Sequence, residues 1–268
     1  MISLAEINDI ASRLQVSAET IEKDYAISWI LLCLMKSKII EHFVFYGGTA
    51  IKRIYFEDHR FSEDIDLLSA NKVTPSVLLD SLHYARDSAN LTLTVNRDNI
   101  IATRDRIQLL VKYTGYEEIV GSPKEIRLDF AMDMQLFGKV KNNKIIASYS
   151  DLYQYDDMLP VMTVNTILAN KIRLLIDSTR NEPRDVFDIW FLLHRTDKFD
   201  FNIDEVRQII KEKYGFCPSY STLRSCLQKP SLKHNWRIRL NKQMACLPEI
   251  ESVLRDIDLK FQHFFKFK

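Results

Sequence analysis

Apolar positions recur at helical spacing over residues 3–14 and again over 17–36, where IEKDYAISWILLCLM carries a broad apolar face. Ser3 and Ser17 stand where helix N-caps belong. HFVFYG (42–47) is a continuous apolar run and predicts a buried strand. Gly47 and Gly48 break it, and TAIKRIYF resumes helical spacing. SEDIDLLS (62–69) alternates charged and apolar residues, as a half-buried strand does. Residues 75–89 predict a helix, and LTLTV (91–95), RIQLLVKYTG (106–115) and EIRLDFAMD (125–133) predict strands. From 138 to 160 the pattern is weak.

Beyond Pro160 the texture changes. TVNTILANKIRLLIDSTR (163–180) is a strongly amphipathic helix with Thr163 as its cap. Asn181-Glu182-Pro183 interrupts it, RDVFDIWFLLHR (184–195) begins another, and short helical segments follow Asp200. Helices, a strand-rich middle and further helices predict an α+β protein. We expect a sheet domain with N-terminal helices over 1–160 and a helical domain over 161–268.

At 268 residues, the chain is long enough for a sizeable core, and 46% hydrophobic content is that of an ordinary globular protein. The net charge of +1 leaves no overall nucleic-acid footprint, but the charge is uneven. From residue 201 to 268 there are 13 Lys/Arg against 7 Asp/Glu, a surplus of +6 that leaves −5 for residues 1–200. That basic segment suits a phosphate backbone or, equally, a solvated helical face. The four cysteines have no metal-ligand spacing and read as buried, reduced thiols. MISLAEINDI lacks the pattern of a signal peptide, and the longest strongly apolar run, 26–35, is about half a membrane span. We expect a cytoplasmic protein with no membrane segment.

The candidate chemistry starts with carboxylates. Asp64 and Asp66 lie two apart on a predicted strand, so they share one face while Ile65 points into the core. Two such charges repel unless a cation or water lies between them. A hard divalent ion, Mg²⁺ above all, takes oxygen ligands from carboxylates and completes its shell with phosphate and water. An exposed strand with alternating acids would show the same pattern. Asp129, on another predicted strand, would complete a set of three able to hold two ions about 3.5–4 Å apart. Asp133 competes with it, at even spacing from Asp129. Gly47-Gly48-Thr49 follows a strand and opens a helix, where free N–H groups and a hydroxyl suit phosphate. A tight strand-to-helix turn would use the same glycines. The stretch is neither a Walker A loop nor a Rossmann fingerprint.

FYGGTAIKRIYFEDHRFSEDIDLL (45–68) resembles the first motif of polymerase-β-type nucleotidyltransferases. It is most similar to that of the AbiEii/AbiGii toxin group of bacterial abortive-infection and type IV toxin–antitoxin systems. EKDYAISWIL (22–31), IRLDF (126–130) and ILANKIRLLIDSTRNEPRDVFDIWFLL (167–193) resemble that group's further motifs. The resemblance implies a small mixed sheet flanked by helices, a polymerase-β-like nucleotidyltransferase fold, followed by a helical C-terminal part. It implies transfer of a nucleoside monophosphate from an NTP to an acceptor, with release of pyrophosphate. Asp64, Asp66 and Asp129 would bind two Mg²⁺, with Mn²⁺ as a substitute. Gly47, Gly48 and Thr49 would line the triphosphate site, with Ser62 assisting and Arg60 as a phosphate contact or a salt bridge. The acceptor implied is RNA, most plausibly the 3′ end of a tRNA, and an operon-encoded antitoxin is the implied partner. The interval from Gly48 to Asp64 is longer than in the common Gly-Ser motif of the wider superfamily.

Lys171 sits in an apolar helix and would present an ammonium to phosphate. Asp185 and Asp188 are three apart at a helix start and share a face. The resemblance favours catalytic roles for Lys171 and Asp188 and a nucleotide contact for Asp185. A structural network with Arg180 and Arg184, pinning two helices, would use the same residues. The six histidines have no catalytic or metal spacing and read as surface or capping residues, and FQHFFKFK at the C-terminus reads as a docked helix. Two other functions compete: nucleotidylation of a protein hydroxyl, and a catalytically idle fold that binds nucleotide or a partner.

Overall fold

The computed structural model describes residues 2–37, 39–86, 91–114, 124–152, 155–177, 179–180 and 182–266. Residues 87–89 at the end of one predicted helix, Gly115 at the end of a predicted strand, Asn181 in the helix break, and the last two residues of FQHFFKFK lie outside these. Helices α1 (Leu4–Leu14) and α2 (Ala18–Lys36) are capped as their sequence requires. Ser3 Oγ accepts from the Glu6 N–H, and Ser17 Oγ accepts from the Thr20 N–H. The chain then forms β1 (Val44–Tyr46), a short α3 (Gly47–Ala50) that runs into a π-helical turn (Ile51–Tyr55), β2 (Asp64–Leu68) and α4 (Pro75–Arg86). Strands β3 (Leu93–Thr94), β4 (Ile100–Ala102), β5 (Arg106–Tyr113), β6 (Lys124–Ala131), β7 (Val140–Lys144) and β8 (Met158–Met162) follow. The rest is helical: α5 (Val164–Ile176), α6 (Pro183–Leu193), α7 (Ile203–Tyr214), α8 (Tyr220–Leu227), α9 (Pro230–Leu240) and α10 (Ile250–Phe265).

The eight strands form one mixed sheet in the order β3-β5-β6-β2-β1-β8-β7, with β4 paired to β5. It is larger than the pattern predicted, since β4, β7 and β8 lie in stretches of weak alternation. β2 pairs antiparallel with β1 and parallel with β6. The inward sides of these strands carry Phe45, Ile65, Leu67, Ile126, Leu128 and Phe130, all fully buried. Helix α2 is buried along most of its length, which is why its apolar face reads so broad. It buries two acids: Glu22 pairs with Lys124, and Asp24 is neutralised by Arg53 at 3.1 Å and accepts from the Tyr149 hydroxyl at 2.6 Å.

The chain divides into two compact units. Unit 1 holds residues 1–136 and 140–162, with the whole sheet; unit 2 holds 137–139 and 163–268. In unit 2, Thr163 caps α5 by accepting from the Thr166 N–H, and α10 buries Ile250, Val253, Ile257, Phe261 and Phe265. The cysteines are free, but Cys246 is exposed and Cys217 half-buried, so the thiols are not uniformly buried. His59 departs from the surface expectation and is buried.

Candidate active site

In unit 1, β2 and β6 run side by side with Asp64 opposite Arg127 and Asp66 opposite Asp129. Partners in a parallel pair point the same way, about 4.8 Å apart. The three acids named from the sequence therefore share one face of two neighbouring strands. Asp133 does not: it lies past the end of β6 with a left-handed backbone (φ 57°) and pairs with Lys72 at 3.3 Å.

Cations already attend these acids. Arg127 Nη2 lies 2.7 Å from Asp64 Oδ2, and Arg127 Nε lies 3.2 Å from Asp129 Oδ2. On the other oxygen of Asp129, Arg106 Nε sits at 3.1 Å and Gln108 Nε2 donates at 3.3 Å. Arg106, Gln108 and Arg127 were not singled out from the sequence. The signal for Arg127 was its spacing, two residues before Asp129 on an alternating strand. Arg106 and Gln108 depend on the pairing of β5 with β6, which puts Gln108 opposite Asp129.

The glycine turn closes against the same acids. Gly47 adopts φ +85°, and a Cβ built there would stand 2.5 Å from Asp66 Oδ2. Only glycine admits both the left-handed backbone and the carboxylate. A Cβ on Gly48 would meet Arg60 Nη2 at 2.8 Å and Ser62 Oγ at 3.4 Å, so Gly48, Arg60 and Ser62 are gathered at one place. The Thr49 hydroxyl donates to the Asp64 carbonyl, tying the turn to β2. The long interval before Asp64 is held down as well. Lys52 Nζ donates to the carbonyls of Glu57 at 2.8 Å and His59 at 3.0 Å, and lies 4.0 Å from the centre of the Phe61 ring. A separate cavity of about 470 Å³ in unit 1, lined by Asp24, Lys52, Arg53 and Tyr149 among others, contains none of the predicted site residues.

The donor set suits a hard divalent ion: carboxylate oxygens only, on adjacent strands of one face. Among the described residues no three His, Cys, Asp or Glu side chains already converge as a metal cage. Arg127 instead reaches two of the acids at once.

In unit 2, Lys171 Nζ lies 2.7 Å from both Asp185 Oδ1 and Asp188 Oδ2, and Arg180 Nε lies 2.7 Å from Asp185 Oδ2. Lys171, Asp185 and Asp188 are 7%, 2% and 0% exposed. Burial alone would raise the Asp185 carboxyl, but Lys171 and Arg180 outweigh it and hold the group below the usual carboxylate range. This network joins α5 to the first turns of α6. Arg184 turns instead to Glu182, with Nε 3.1 Å from Glu182 Oε1.

The model of the nucleotidyl transferase AbiEii toxin family, type IV toxin–antitoxin system, matches residues 29–263. No curated protein matches the sequence. Among solved structures, JHP933 from Helicobacter pylori is similar over 93% of each chain, at 17% identity with a TM-score of 0.59. MenT4, the nucleotidyltransferase toxin Rv2826c of Mycobacterium tuberculosis H37Rv, is similar over 100% of this chain and 91% of its own, at 17% identity with a TM-score of 0.64. Both share this fold of a mixed sheet with helices.

Proposed function

From the premise that the chain belongs to the AbiEii family of nucleotidyltransferase toxins of type IV toxin–antitoxin systems, we propose that it transfers a nucleoside monophosphate from an NTP to the 3′ end of a tRNA, releasing pyrophosphate. The observation that carries this reading is the parallel register of β2 and β6, with Asp66 opposite Asp129 and Asp64 one pleat away. Asp64, Asp66 and Asp129 are assigned the binding of Mg²⁺, with Mn²⁺ as a substitute. Bound there, two such ions would neutralise the triphosphate and activate the acceptor hydroxyl. Gly47, Gly48 and Ser62 bring the triphosphate up to the acids, and Gly47 keeps Asp66 unobstructed. Thr49 fixes the turn to β2 through its hydroxyl and offers its backbone N–H to phosphate. Lys171 and Asp188 are assigned to catalysis and Asp185 to the nucleotide. Ions this deeply buried cost folding free energy, and a functional role is one reason to keep them. The basic surplus of residues 201–268 supports an RNA acceptor. The family implies an antitoxin partner, and no described helix is long and apolar enough to cross a membrane. We place the reaction in the cytoplasm.

Incubation with each radiolabelled NTP and Mg²⁺, with total tRNA in one arm and cell protein in another, tests this reading. Label on tRNA is expected. Label on protein alone would favour nucleotidylation of a protein hydroxyl, and label on neither would favour an idle fold.

A further inference from the structure

We propose that Arg127 is an exchangeable counter-ion: it neutralises Asp64 and Asp129 until a divalent ion takes them, and then binds the triphosphate that arrives with the ion. This rests on the metal-site reading above. The guanidinium is divided between two acids on two strands, through Nη2 to Asp64 Oδ2 and through Nε to Asp129 Oδ2. Both contacts use the Oδ2 atom. Asp129 Oδ1 is held separately by Arg106 and Gln108. When Arg127 withdraws, Asp129 therefore keeps its orientation through Oδ1, and each acid gives up its Oδ2 contact with the guanidinium.

Exchange is inexpensive for Arg127. Its side chain is 43% exposed, whereas that of Asp129 is 6% exposed. A half-solvated ion pair contributes little net stability, and a doubly charged ion attracts the same carboxylates more strongly than a guanidinium does. The freed side chain remains tethered to β6, opposite Asp64. A planar fork that fits carboxylate oxygens also fits phosphate oxygens. Lysine lacks that fork and would serve only as a point charge.

Two binding measurements on the full chain test the proposal without turnover. Mn²⁺ alone is titrated by electron paramagnetic resonance, and inorganic tripolyphosphate is titrated by calorimetry in saturating Mg²⁺. Arg127→Gln should bind Mn²⁺ roughly two- to fivefold more tightly than the native chain, the range set by loss of an exposed ion pair. It should bind tripolyphosphate about tenfold or more weakly, as expected for loss of a charge-assisted hydrogen bond. Arg127→Lys should fall between the two in both titrations and guards against a folding defect in the glutamine variant. Unchanged or weaker Mn²⁺ binding by Arg127→Gln overturns the proposal, and so does unchanged tripolyphosphate binding. If the native chain binds no Mn²⁺, the metal-site reading itself fails, and the role of Arg127 fails with it.

Discussion

The acids of β2 and β6 lean on arginines whose side chains stand 43% and 57% in solvent, whereas Lys171 meets Asp185 and Asp188 with all three almost fully buried. Both groups balance positive against negative charge at hydrogen-bonding distance. They differ in what it costs to take them apart. On the proposal made above, the first trades one cation for another with little effect on folding. The second was assembled at a large desolvation cost, and losing a member leaves its buried partners short of countercharge. Ion pairs at similar distances can therefore differ in how readily a ligand displaces them, and solvent access sets the difference.

The largest expected effect breaks this contrast on the exposed side. Asp66→Ala should reduce label transfer by more than the roughly 100-fold that removing a ligand's supporting partner costs, with an unaltered melting temperature. Transfer at the native rate by a folded variant would remove Asp66 from the metal site. On the buried side, Lys171→Met should cost about 3–5 kcal/mol in denaturant unfolding, because it removes the ammonium from between two buried carboxylates, of which Asp185 keeps Arg180. A loss below about 1 kcal/mol would mean that the cluster is as exchangeable as the surface one. Gly47→Ala should cost on the order of 1–2 kcal/mol for a left-handed alanine, and should lower activity further by displacing the Asp66 carboxylate.

A subtler test uses acid. Asp185 holds its proton less tightly in the folded chain than in the unfolded one. The unfolded state therefore binds more protons, and stability rises with pH across that window. The contribution of Asp185 should be complete above an unfolded pKa of about 3.9 and should fade as pH drops toward its lower folded value. In an acid titration of unfolding free energy, Asp185→Asn should lose stability at neutral pH and show a shallower slope below about pH 4. A slope equal to that of the native chain would contradict the assignment. The smallest effect should come from Lys72→Ala, which breaks only the exposed pair with Asp133 and should change stability by at most about 0.5 kcal/mol.

Much of this was legible in the residues because the information was local. Ser3, Ser17 and Thr163 cap the helices they precede, and the alternation around Asp64 and Asp66 matches their strand. Other features depended on pairing across long stretches of chain. β7, with the sequence VKNNK, is mostly exposed and has no apolar face to announce it. β8 carries Pro160 opposite Asn142, a residue that argues against a strand when read alone. Arg127 carried no assignment until the register set it beside Asp64. The network around Lys171 was visible as a list of residues, but its depth was not.

The three residues 137–139 belong to unit 2 although the sequence on either side belongs to unit 1. Lys139 donates its N–H to the Thr166 hydroxyl and accepts the Thr163 N–H, at the very start of α5. The ribosome therefore releases this small clasp before the helix that it fastens has been made. A fragment cut after residue 162 keeps a clasp with nothing to hold, and one that begins at 163 lacks the backbone partner of its first helix. The two halves are thus sewn together by the order of synthesis, and neither should be obtained cleanly by a single cut.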